Sequence, residues 1–131
     1  MALVVIGLGS NIKPEENVKA ALSFFELRFH VLKKSKLLKT EPIGMADPHY
    51  FLNAGVLIET EMTQEELFSC LREQEAVMGR IRTKNKFASR PIDFDILSWN
   101  DELLDEDIAE RVFLQEILKE LLPEHMGATC L

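Results

Sequence analysis

The chain has few of the residues from which metal clusters and redox centres are usually built. Its 131 residues include two cysteines, Cys70 and Cys130, and three histidines, His30, His49 and His125. The cysteines lack metal or redox spacing and read as core filling for the first and a loose C-terminal position for the second. The histidines form no HxxxH pair, which argues against a histidine zinc site. The longest apolar stretch near the N-terminus, Ala2 to Ile6, is far too short to span a membrane, and the start has no charged n-region or cleavage site. A cytoplasmic protein with no membrane partner is expected. Neither GxxxxGK[ST] nor GxGxxG occurs, so a nucleotide site here would not be a P-loop, a kinase glycine loop or a Rossmann crevice. The net charge of -7 argues against general nucleic-acid binding.

What is present is a soluble globular balance, 47% hydrophobic and 28% charged. It fits a single domain over residues 1–131 with a real core. "ALVVIGLGSN" reads as a buried strand, and "KPEENVKAALSFFELRF" as a helix with Pro14 in its first turn and Val18, Ala21, Leu22 and Phe25 at helical spacing. "VLKKSKLLKT" reads as one strand and Tyr50 to Thr60 as another. Thr63 and Glu66 form a capping box for a helix whose face carries Leu67, Cys70, Leu71, Gln74 and Met78 and which ends at Gly79. A strand from Ile92 to Trp99 follows. Leu103 to Leu122 is helical in pattern over its later part, with Ile108, Val112, Phe113 and Ile117 apolar and Pro123 ending it. The order predicts an α+β, ferredoxin-like βαββαβ sandwich with an antiparallel sheet and an added C-terminal helix.

Charge is unevenly spread along this frame. "GRIRTKNKFASR" carries Arg80, Arg82, Lys84, Lys86 and Arg90 without an acidic residue, and runs into "PIDFDIL". On a strand, Ile92, Phe94 and Ile96 share the core face, so Asp93 and Asp95 point together to the other side. Two carboxylates roughly 6 to 7 Å apart repel unless a cation sits between them. An exposed pair tolerated in water, or one neutralised by the neighbouring arginines, is one reading. A site for a magnesium polyphosphate, with metal on one side and arginine on the other, is the second.

"GLGSN", "TEPIG", "YFLNAGV", "MGRIR" and above all "KFASRPIDFDIL" occur in an order that resembles the 6-hydroxymethyl-7,8-dihydropterin pyrophosphokinase family. That family transfers the diphosphate of ATP to the hydroxymethyl group of a pterin in folate biosynthesis. The resemblance implies that Asp93 and Asp95 hold two Mg²⁺ ions, and that Arg80, Arg82 and Arg90 face the triphosphate. It makes Arg82, Arg90 and Asp95 the catalytic candidates, with Glu75 and Arg111 also on the nucleotide side. On the pterin side it implies Asn53 at the ring's edge, a pocket lined by Thr40, Pro42, Ile43 and Gly44, and Phe51 and Phe113 on the ring's two faces. Partners are then the pterin and ATP, with a monomer expected and a weak dimer as the alternative. A non-catalytic homologue that binds a pterin or nucleotide is the competing reading.

Three departures from the family pattern stand out. Residues Asp105 to Glu110, "DEDIAE", replace a longer segment with a Pro-His pair; Phe87 stands where tryptophan is common; and Phe94 is the DxD spacer where a smaller aliphatic is usual. The first implies that ATP is gripped chiefly by its phosphates.

Overall fold

The structure, a computed structural model, describes residues 1–40, 50–79, 91–100, 102–104 and 112–122, with 112 and 113 described by backbone only. The central strand is β1 (Ala2–Ser10), buried from Val4 onward. Both of its faces are covered, so it reads as a continuous apolar run rather than an alternating one. Val4, Ile6 and Leu8 turn to one core and Val5 to a second core on the opposite face. β4 (Phe51–Thr60) flanks β1 on one side and β5 (Asp93–Trp99) on the other, both antiparallel. Beyond β4 lie β2 (His30–Lys34) and β3 (Leu38–Thr40), both antiparallel to it; beyond β5 lies β6 (Glu102–Leu103).

Setting β3 and β6 aside, the strand order is β2-β4-β1-β5. This is the α+β ferredoxin-like arrangement with an added C-terminal helix, as the element order predicted. The stretch read as one strand, residues 31–40, is instead divided in two. Ser35 causes the break: its N–H donates to the Gly55 carbonyl and its hydroxyl accepts from the Gly55 N–H. A side chain thus takes over a ladder bond, and the backbone leaves the sheet before returning as β3. Leu103, at the start of the stretch read as helical over its later part, lies in β6, where it pairs with Ser98.

Two helices pack on the first face. α1 (Pro14–Arg28) has proline at its first turn and places Val18, Ala21, Phe24 and Phe25 in the core. α2 (Gln64–Val77) begins with the predicted capping box: Thr63 Oγ1 accepts from the Glu66 N–H at 3.1 Å, and Glu66 Oε1 accepts from the Thr63 N–H at 2.9 Å. It stops at Gly79, whose φ of 96° suits a residue without a Cβ. Cys70 is partly buried against this core, as expected, and burial pushes its thiol up from the usual range. α3 (Val112–Leu121) covers part of the second face with Leu114, Ile117, Leu118 and Leu121, which pack on Val5, Leu57 and Leu97. α3 sits close to the sheet because β4 has no side chain at Gly55, where an added Cβ would come within 2.4 Å of Ile117 Cγ2.

Among the described residues no helix is long and apolar enough to cross a membrane.

Candidate active site

The register across β5, β1 and β4 assembles the site. Asp93 pairs with Gly9 and Asp95 with Gly7; on the other side of β1, Gly9 pairs with Asn53 and Gly7 with Gly55. Paired residues on neighbouring strands point to the same face, so Asp93, Asp95 and Asn53 share the face that α3 partly covers. Two glycines lie between the carboxylates and the amide and leave a floor without side chains. Asp93 and Asn53 are two strand spacings apart, about 10 Å. An added Cβ on Gly9 would meet Asn53 Oδ1 at 2.7 Å, so the amide leans over this floor.

Asn53 is itself held. Its Nδ2 donates to Thr40 Oγ1 at 2.8 Å and, at 3.4 Å, to the Leu38 carbonyl. Thr40 pairs with Phe51, which lies two residues before Asn53 and therefore on the same face. Thr40, Phe51 and Asn53 form one patch at the ends of β3 and β4. Tyr50 precedes it and is fastened to α1: its hydroxyl donates to Glu15, which holds that carboxyl below its usual range and pushes the phenol up. The Lys39 ammonium lies 4.0 Å from the centre of the Tyr50 ring.

The carboxylate strand is held from its core side. Phe94, the spacer between Asp93 and Asp95, is fully buried, with its ring centre 5.4 Å from that of Phe25 and 6.3 Å from that of Phe24. The unusual spacer therefore fills a core built by α1, while the aspartates stay half-buried on the opposite face. Hard carboxylate oxygens two residues apart on an immobilised strand suit Mg²⁺. Among the described residues there is no cluster of three or more His, Cys, Asp or Glu able to hold a metal.

Glu75, on α2, sits on the other side of the sheet with its side chain 2% exposed. Its Oε1 accepts from Arg72 Nη1 at 2.6 Å and its Oε2 from the Phe94 N–H at 2.8 Å. Arg72 was not among the residues singled out in the sequence. Its i,i+3 spacing from Glu75 was the available signal. Its guanidinium also lies 4.5 Å from the centre of the half-exposed Phe68 ring. Phe68, Leu71, Arg72, Asp95, Ile96 and Leu104 help to line an open cavity of about 870 Å³ between α2 and β5.

Of the remaining candidates, Pro42, Ile43, Gly44, Arg80, Arg82, Arg90 and Arg111 lie outside the described residues, as does the segment 105–110. Phe113 is placed by its backbone alone, one turn before Ile117 on α3.

The antiparallel α+β sheet thus sets a carboxylate pair and an anchored amide on one face, across a glycine floor. Residues 5–123 match the family model of 7,8-dihydro-6-hydroxymethylpterin-pyrophosphokinase, and the chain belongs to this family. The chain is 36% identical over 101 residues to the 2-amino-4-hydroxy-6-hydroxymethyldihydropteridine pyrophosphokinase of Porphyromonas gingivalis, covering 74% of this chain and 69% of that protein. The enzyme of the same name from Methylorubrum extorquens is 30% identical over 135 residues, covering 95% of this chain and 85% of its own length. A folate synthesis bifunctional protein of Arabidopsis thaliana is 36% identical over 129 residues, which is 91% of this chain and 27% of the plant protein. The activity is diphosphate transfer from ATP to hydroxymethyldihydropterin, in folate biosynthesis.

Proposed function

We propose that the chain performs this transfer as a Mg²⁺-dependent reaction, with two ions held by Asp93 and Asp95 against the ATP phosphates. The observation that carries the reading is the register that brings both carboxylates to the face of Asn53 with only glycines between. The bound metal would neutralise phosphate charge and align the transferring group.

The chain's own residues do the rest. Asn53, oriented by Thr40, hydrogen-bonds the edge of the pterin. Phe51 and Phe113 pack on the ring's two faces, and the Pro42 to Gly44 segment lines the pocket. The pterin hydroxyl is thereby directed at the β-phosphorus of ATP. Its oxygen bonds to that phosphorus as the bond from the phosphorus to the oxygen bridging the α- and β-phosphates breaks; the hydroxyl proton passes to solvent, and AMP leaves with that bridging oxygen. Arg82 and Arg90 stabilise the charge that shifts onto the transferred group and AMP, with Arg80 and Arg111 also on the nucleotide side. The nucleoside of ATP extends into the cavity beside Asp95, whose walls at Phe68, Ile96 and Leu104 are apolar. Glu75 serves the nucleotide side through its hold on β5. Residues 1–131 act as one domain and a monomer in the cytoplasm.

Asp93→Asn and Asp95→Asn test the metal assignment. Each replacement keeps the size of the side chain, and the core side of β5 is untouched. AMP formation is expected to fall below detection, with the melting temperature and pterin affinity close to wild type. Near-normal turnover in either variant would overturn it.

A further inference from the structure

Among the described residues, β1 is the strand that pairs with β5 along most of its length. β1 runs beside it from Asp93, whereas β6 reaches only Ser98 and Trp99. In an antiparallel ladder, successive residues direct their peptide groups alternately to the two sides. The Phe94 N–H and C=O point away from β1, to the opposite edge, at a position β6 does not reach. Both are taken by α2 side chains: the N–H donates to Glu75 Oε2 at 2.8 Å, and the carbonyl accepts from Arg72 Nη1 at 3.3 Å. Arg72 and Glu75 are joined to each other at 2.6 Å. Together they bond the strand edge as a neighbouring strand would, at the residue between the two aspartates.

From this geometry we infer that Arg72 and Glu75 are positioning residues for the metal carboxylates, acting through the Phe94 peptide groups. The inference rests on the proposal that Asp93 and Asp95 hold Mg²⁺. Two carboxylates drawn to shared cations must keep their spacing both before and after the metal arrives. The Phe94 ring fixes only the core side of the spacer. The α2 pair fixes its backbone along the strand edge, so the two aspartates cannot splay apart as their mutual repulsion favours. Arg72 is packed on Phe68 beside the cavity, so the same guanidinium couples that wall to the carboxylate strand.

The test uses Arg72→Ala, Arg72→Lys and Glu75→Gln in the full chain. Mn²⁺ binding is followed by electron paramagnetic resonance with a non-hydrolysable ATP analogue, alongside kcat, KM for each substrate and the melting temperature. Arg72→Ala and Glu75→Gln are expected to weaken Mn²⁺ binding and lower kcat about tenfold or more, with KM for the pterin unchanged. Arg72→Lys, which can still donate to the Phe94 carbonyl, should recover much of the loss. Its use also keeps the test decisive if Arg72→Ala does not fold. A lower melting temperature with wild-type Mn²⁺ affinity and kcat would reduce the pair to a structural clamp and overturn the inference. So would a rise in KM for ATP alone, which would make the pair a direct nucleotide contact. If wild type itself binds no Mn²⁺ with the nucleotide analogue, the metal reading falls, and the positioning role falls with it.

Discussion

At the scale of single residues, Gly9 and Asn53 form the joint between the two halves of the site. Gly9 pairs with Asp93 on one side and Asn53 on the other. A methyl group there would meet the flexible end of Asn53, 2.7 Å from Oδ1, rather than backbone. Gly9→Ala is therefore expected to weaken pterin binding with little loss of stability, because the amide is pushed from its Thr40-directed position. Asn53→Ala should weaken binding further, by about 1–3 kcal/mol, the scale of a lost buried hydrogen-bond partner. Calorimetric titration with a pterin analogue measures both, and unchanged affinity in both variants would remove Asn53 from the pterin site. The placement of Asp93, Asp95 and Asn53 on a strand was legible because a strand's alternation needs only the local pattern. The α2 pair was not, because Arg72 and Glu75 act on the Phe94 backbone, 19 residues beyond Glu75 in the chain.

At the scale of elements, the two surfaces of β1 explain why some segments were easier to read than others. α1 and α2 carried their own signals, proline in the first turn of one and the Thr63–Glu66 box at the start of the other. The division between β2 and β3 had no such local mark, because Ser35 breaks the strand only through its bonds to Gly55, 20 residues away. α3 depends on the sheet in the same non-local manner. Its approach requires Gly55, where an added Cβ would lie 2.4 Å from Ile117 Cγ2 and 2.9 Å from Leu121 Cδ1. Gly55→Ala should cost about 1–3 kcal/mol by overpacking. It should also weaken pterin binding, since lifting α3 moves the backbone that carries Phe113. Urea unfolding and pterin titration on the same variant check both effects. Full stability would mean that α3 does not press on β4 at this point, and wild-type pterin affinity in a destabilised variant would separate α3 from the pocket.

At the scale of the whole molecule, the sheet divides its labour between faces. One face is committed to the main core with α1 and α2, and the other is shared between α3 and the candidate site. Sheet order and helix placement followed from the order of elements, and the family from motifs spread along the chain. The arginines of residues 80–90 and the shortened segment 105–110 lie outside the described residues, so their part in gripping ATP rests on the sequence. What unites both faces is the demand that β5 hold two like charges at a fixed spacing while a pterin is presented across Gly9. The most direct test of that account is AMP release from ATP on addition of 6-hydroxymethyl-7,8-dihydropterin, measured with and without Mg²⁺. The account predicts stoichiometric AMP and pterin diphosphate that require both the pterin and Mg²⁺. A chain that binds the pterin or ATP yet releases no AMP with Mg²⁺ present would be a binding homologue, and equal AMP release without a divalent metal would contradict the role given to Asp93 and Asp95.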